Sequence, residues 1–186
     1  MVLKADETIT SVDYHTAGEP FRIVDIGPME GATVLDRRSW AEENLDGFRQ
    51  FLINEPRGHA DMYGGFVVPA DDRNGDLGVV FFHKDGFSTA CGHGTIALAT
   101  WAIDTEFIEI KGDVIDVIID VPSGRLKTTA KIVDAKVESI CFQNVPSFVS
   151  ATNISLQTSQ GIVNDDISFG GAFSVSYTHL TLPTKA

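Results

Sequence analysis

One short stretch gathers groups able to do chemistry: Cys91, Gly92, His93 and Gly94, within STACGHGT at 88–95. The residues that follow, IALATWAI, are almost all apolar, and the pattern predicts a helix from Cys91 to about Asp104. A thiol at the first turn of a helix meets the positive end of the helix dipole. That placement is expected to lower its pKa from about 8.5 and to make Cys91 the reactive cysteine of the chain. The N–H groups of Gly92, His93 and Gly94 lack intrahelical partners, so they form a seat for a carboxylate. Glycine on either side of His93 lets a ligand approach the backbone closely. A base beside a carboxylate seat suits removal of the Cα proton of an amino acid. Two other readings stay open. Free cysteine often does no more than pack. Cys91 could also be a covalent nucleophile with His93 as its base, although adjacent residues at a helix start rarely face each other.

Other polar positions read differently. Cys141, in ESICFQNV, falls inside a strand pattern and is expected to be a small packed core thiol. DYHTAGEP at 13–20 carries His15, Thr16 and Glu19, and NEPRGHADMYGG at 54–65 carries Arg57, His59 and Asp61. Each reads as a structural loop whose charged side chains are mostly solvated.

The elements that must hold Cys91 in place are mostly strands. Short apolar runs at 21–27, 64–70, 76–83, 107–113, 114–124, 126–133 and 136–145 are bounded by Gly, Pro, Asp and Ser. The turn DDRNGD is expected to pair the second and third of these. Regular short strands predict a twisted sheet or barrel. A helix is also predicted at 39–53, capped by Ser39 with Glu42 as its capping-box partner. The Cys91 helix has almost no polar face, so the sheet is expected to curl around it, with Ile96, Ala99 and Ile103 buried.

Composition bounds the function classes. A chain of 186 residues with 43% hydrophobic residues builds one domain or slightly more. A net charge of −12 repels phosphate backbones and argues against a nucleic-acid partner. No stretch reaches the roughly 20 apolar residues of a membrane helix. MVLKADETIT has no apolar segment of the kind a secretory signal needs. Two cysteines far apart make neither a disulfide framework nor a zinc site, so a cytoplasmic protein without a metal is expected.

Taken together, DYHTAGEP, NEPRGHADMYGG, FSTACGHGTIALATWAID, NVPSFV and ISFGGAF resemble the proline racemase family in order and spacing. That family includes proline racemases, 4-hydroxyproline epimerases and trans-3-hydroxy-L-proline dehydratases. The resemblance implies an α/β (α+β) fold like diaminopimelate epimerase: two halves, each a curled, mostly antiparallel sheet around a central helix. It implies no cofactor, no metal, and proline or a hydroxyproline as substrate, with a homodimer as a partner state to test. Carried over by position, Cys91 is the base or acid on one face of the substrate Cα. The N–H groups of Gly92 and His93 hold the carboxylate, and the His93 side chain lies near the amine. Ala90 stands where family members often carry Met. The stretch around Cys91 is somewhat closer to the dehydratases.

Family chains are much longer, so 1–150 is expected to be an N-terminal half carrying the catalytic Cys, and 151–173 the start of the second half. The opposing Cys or Thr belongs to that second half, which makes this chain an inactive fragment by expectation. The tail 174–186 resembles translated sequencing-adapter read-through and is expected to be non-native. The alternatives are a non-catalytic carboxylate-binding module of the same fold and a covalent cysteine enzyme.

Overall fold

The computed structural model describes residues 8–159 and 161–177. The chain divides into two compact units, 1–143 and 144–186.

The first unit is built on one sheet. Its strands are β1 (Ser11–Thr16), β2 (Glu19–Val24), β3 (Tyr63–Val68), β4 (Leu77–His83), β5 (Gly86–Phe87), β6 (Val114–Val121), β7 (Gly124–Val133) and β8 (Lys136–Gln143). Their order is β1-β2-β3-β4-β6-β7-β8, with β5 beside β4. Among the described residues, only β2–β3 and β4–β6 run parallel. The β3–β4 pair closes around DDRNGD as expected, with Val68 opposite Gly78.

Among the described residues, three helices complete the unit: α1 (Val34–Asn44), α2 (Asp46–Ile53) and α3 (Gly92–Asp104). Helix α3 packs against β1, β2 and β3 and also against β6, β7 and β8. Both flanks of the sheet therefore reach one helix, which is the curled arrangement its apolar surface demands. Helices α1 and α2 cover the opposite face. Val80 and Phe82 join Ala41, Leu45, Phe48 and Leu52 in that second core. Val79 and Phe81 have the other parity and face the α3 side, where Phe81 meets Phe21 edge-on at 5.9 Å. Strand β4 is thus buried on both faces.

Several expectations need correction. The helix expected at 39–53 is two helices. The first is capped by Thr33, whose hydroxyl accepts from Asp36 N–H while Asp36 returns a bond to Thr33 N–H. An Asp in place of Glu or Gln completes this box. Ser39 lies inside α1, bonded to Leu35 O at 3.3 Å, and Glu42 pairs with Arg38 at 3.3 Å. Leu45 interrupts the run with φ −122° and ψ 6° while burying its side chain fully. DYHTAGEP is not a loop but most of a hairpin: β1 and β2 pair around Ala17 and Gly18, both at positive φ. Residues 107–113 form no strand. Ile108 N–H instead bonds Ala102 O at 2.8 Å and finishes the end of α3. Cys141 is exposed on β8 rather than packed. Ile96 is half-buried, whereas Ala99 and Ile103 are buried.

The second unit is a separate antiparallel sheet of β9 (Phe148–Thr158), β10 (Gly161–Phe169) and β11 (Phe173–Tyr177), in the order β11-β10-β9. Phe169 lies between Phe148 and Phe173, with ring centroids 5.2 and 5.1 Å away. Of the tail, 174–177 belong to β11, and 178–186 lie outside the described residues. Among the described residues, no helix is long and apolar enough to cross a membrane.

Candidate active site

Cys91 is the N-cap of α3, with extended backbone at φ −155° and ψ 105°. Its carbonyl accepts from Thr95 N–H at 2.9 Å and from Thr95 Oγ1 at 2.8 Å. Thr95 is fully buried, so this double bond anchors the helix start from inside.

The two glycines of the stretch have different reasons to be there. A Cβ at Gly94 would strike the Phe21 ring and lie 2.9 Å from Cys91 Sγ. Gly94 is therefore required by packing. A Cβ at Gly92 would meet only Phe142, at an ordinary 3.6 Å, and Gly92 is exposed. Packing therefore does not by itself require glycine at this first residue of the helix.

The thiol itself is buried, with 8% of its surface exposed. Burial pushes its pKa up to about 11, and the Glu19 charge adds to the rise; the Gly94 N–H pulls it back down. This corrects the expectation of a lowered pKa. The helix start does favour the thiolate, but the loss of water around the sulfur outweighs it. Cys91 is consequently not the more accessible thiol of the folded chain; Cys141 is.

His93 comes closer to the sulfur than helix spacing led us to expect. Sγ stands 3.6 Å from Nδ1 and 3.7 Å from Nε2. A sulfur in line with one ring N–H would be much farther from the other nitrogen. Near-equal distances place it against the ring instead, which is poor geometry for proton transfer to a nucleophile. Around the imidazole, Tyr63 meets it edge-on at 5.0 Å and Phe21 at 6.1 Å. Tyr63 also contacts His83 at 5.4 Å. Its phenol is held above the usual range by burial first, then by the charges of Cys91, Asp85 and Glu19. Burial likewise holds His83 below the usual imidazole value, and Asp85 N–H donates to its Nδ1 at 3.2 Å.

Beside this helix start lies an open cleft of about 610 Å³. Residues 18–20, 59–63 and 83–85 line it. Cys91, Gly92 and His93 are outside its lining; Tyr63 is the residue shared by the cleft and the His93 contact. Two segments that each read as a structural loop thus meet on one wall. Strand pairing places them there, with Phe21 opposite Tyr63 and Gly64 opposite Phe82, and two arginines with little exposed side chain tie down the neighbouring backbone, which a sequence read for solvated charge does not reveal. Arg22 bonds Asp13, Leu52 O and Arg57 O. Arg49 bonds His83 O and Lys84 O, both at 2.7 Å, and pairs with Asp46 at 2.6 Å. Among the described residues, no group of three His, Cys, Asp or Glu side chains is placed to hold a metal ion.

A curled, mostly antiparallel sheet around a central helix, with a thiol at the N-cap of that helix, is the class of fold the chain presents. The family model for proline racemase matches residues 11–182, and the chain belongs to the proline racemase family. A trans-3-hydroxy-L-proline dehydratase of Bacillus thuringiensis subsp. konkukian is 43% identical over 92% of this chain and 52% of its own length. A 3-hydroxyproline 2-epimerase of Burkholderia multivorans is 40% identical, again over 92% of this chain and 52% of its own. The crystal structure of a hydroxyproline epimerase from Agrobacterium vitis, with bound trans-4-hydroxy-L-proline, superposes with a TM-score of 0.83 at 25% identity, covering 93% of this chain and 52% of that one. The chain spans about half the length of the curated relatives it matches.

Proposed function

We propose that this chain supplies the thiol side of a cofactor-independent enzyme that takes the Cα proton from proline or a hydroxyproline. The observation that carries this reading is the placement of Cys91 at the cap of α3, directly before the exposed Gly92. A carboxylate seated on the Gly92 and His93 N–H groups sets its Cα beside the sulfur, and the His93 imidazole stands near the amine. A buried thiol with a raised pKa is seldom ionised alone, but once ionised it is the stronger base. The substrate ammonium brings a positive charge that favours the thiolate. Two outcomes follow proton removal. Return of a proton to the opposite face inverts Cα. Departure of a 3-hydroxyl with a proton releases water and leaves a C2=C3 double bond.

The similarity to trans-3-hydroxy-L-proline dehydratases supports dehydration of that substrate as the first reaction to test. Either outcome needs a second acid or base across the substrate. Among the described residues, Cys91 is the one thiol at a helix start, and Cys141 sits on a strand. The 186-residue chain alone is therefore expected to bind weakly and not to turn over. Both cysteines are free, which supports a reducing, cytoplasmic setting.

The test is substrate protection. Iodoacetamide labelling is followed residue by residue, with and without millimolar trans-3-hydroxy-L-proline, trans-4-hydroxy-L-proline or L-proline. Slower labelling at Cys91 and unchanged labelling at Cys141 is the expected result. No protection by any of the three would remove the carboxylate seat from the argument. Turnover by the short chain that persists in Cys91→Ser would remove the thiol.

A further inference from the structure

We propose that Thr16 is a positioning residue for the Cys91 thiol: its hydroxyl holds the His93–Gly94 peptide of the first turn of α3, which lies against the sulfur. The proposal rests on the reading above only in taking Cys91 as the working group. Thr16 closes β1, and its Oγ1 donates to His93 O at 2.9 Å across 77 residues of sequence. His93 C=O and Gly94 N–H belong to the same planar peptide unit. Holding the oxygen therefore sets the direction of the N–H. Gly94 is the residue packed against the sulfur, since even a Cβ there would lie 2.9 Å from Sγ. Its N–H favours the thiolate.

The same strand is tied to the far end of the helix, where Tyr14 Oη donates to Asp104 Oδ2 at 3.1 Å. Strand β1 is thus fastened along α3 at both ends, and the tight turn at Ala17 and Gly18 holds Thr16 in place. The other titratable groups facing the sulfur are Glu19 from β2, Tyr63 from β3 and His93 from α3. Thr16 touches two of these directly, as the cross-strand partner of Glu19 and through its bond to His93 O, so the Ser variant, which keeps the hydroxyl, is the control for both.

Removing the hydroxyl leaves both Thr95 bonds to Cys91 O in place, so the sulfur stays buried. What is lost is the alignment of Gly94 N–H. The thiolate is then less favoured, and Cys91 is expected to alkylate about threefold more slowly between pH 8 and 10, a rise of about half a pKa unit. A residue that merely held the fold together would act with the opposite sign, because loosening exposes the sulfur and speeds its reaction.

The experiment compares Thr16→Val, Thr16→Ala and Thr16→Ser in the full chain, with Cys141 as internal reference. Slower Cys91 labelling in Val and Ala, with the wild-type rate in Ser, is expected. Unchanged or faster labelling of Cys91 in both hydroxyl-less variants, including labelling made faster by unfolding, overturns the proposal. So does a Ser variant as slow as Val. Substrate protection of Cys91 in the wild-type chain is read separately, so failure of the functional reading and failure of the Thr16 proposal remain distinct.

Discussion

Gly92 and Gly94 flank the same histidine yet answer to different constraints, and substitution separates them. Gly94→Ala forces a methyl between Phe21 and the thiol, and an overpacked core of this kind costs about 1–3 kcal/mol. Gly92→Ala places its methyl in ordinary contact with Phe142, so stability should stay within about 0.5 kcal/mol. Urea unfolding of the two variants checks both. The cysteines differ just as sharply. Burial raises the folded Cys91 pKa, so its thiolate is scarce at pH 7 and grows roughly tenfold per pH unit toward a midpoint near 11. Exposed Cys141 should label first at pH 7, and the Cys91 rate should keep climbing beyond pH 10. Intact and peptide mass spectrometry across that range would contradict this account if Cys91 labelled first at neutral pH in the ligand-free chain. The sign follows from which form burial penalises: the charged thiolate is disfavoured, so alkali is needed to reach it.

At the scale of elements, α3 carries its stability on the residues that meet the sheet. Leu98 is fully buried and Ile96 only half so. Leu98→Ala should cost about 2–5 kcal/mol, and Ile96→Ala clearly less. Thr33→Ala removes the cap of α1 and should cost about 1 kcal/mol, visible as a lower thermal midpoint. These same elements show what the amino-acid sequence reveals. Helix α3 is legible because a long apolar run bounded by Gly-His-Gly has few alternatives. The strands from β2 to β4 and from β6 to β8 are legible because each is a short apolar or alternating run between turn residues. Strand β1 is not, because Ser11–Thr16 lies largely exposed at a sheet edge and its alternation rests on only Val12 and Tyr14. The 107–113 segment has the alternation without the strand, since Phe107 and Ile110 are exposed and the backbone is drawn back to the end of α3. Cys141 faces outward because its neighbours Ile140 and Phe142 take the inward parity of β8. At the candidate site, Cys91, Gly92 and His93 are singled out by local pattern alone. The meeting of residues 18–20 with 59–63 and 83–85 is not, because the parallel pairing of β2 with β3, and the arginines bonded to distant carbonyls beside it, have no local signature.

For the molecule as a whole, unit 1–143 contains the sheet, all three helices and the candidate site. A chain of residues 1–143 should retain a cooperative thermal transition and slow amide exchange at Phe81 and Leu98. Loss of that transition would show that the rest of the chain is needed for folding. The bond from Thr16 to His93 has a further consequence, one of timing. It joins residues 77 apart, and Tyr14 to Asp104 joins residues 90 apart. Contacts of such sequence separation form late and slow a chain's folding, because a long loop must close before they contribute anything. On the ribosome the first hairpin emerges long before its partner helix exists. It must wait, with Phe21 unburied, until residues beyond Asp104 have cleared the exit. The thiol therefore acquires its burial, and the basicity that goes with it, only near the end of synthesis of this unit. A nascent chain stalled before that point carries Cys91, if at all, as an ordinary accessible thiol.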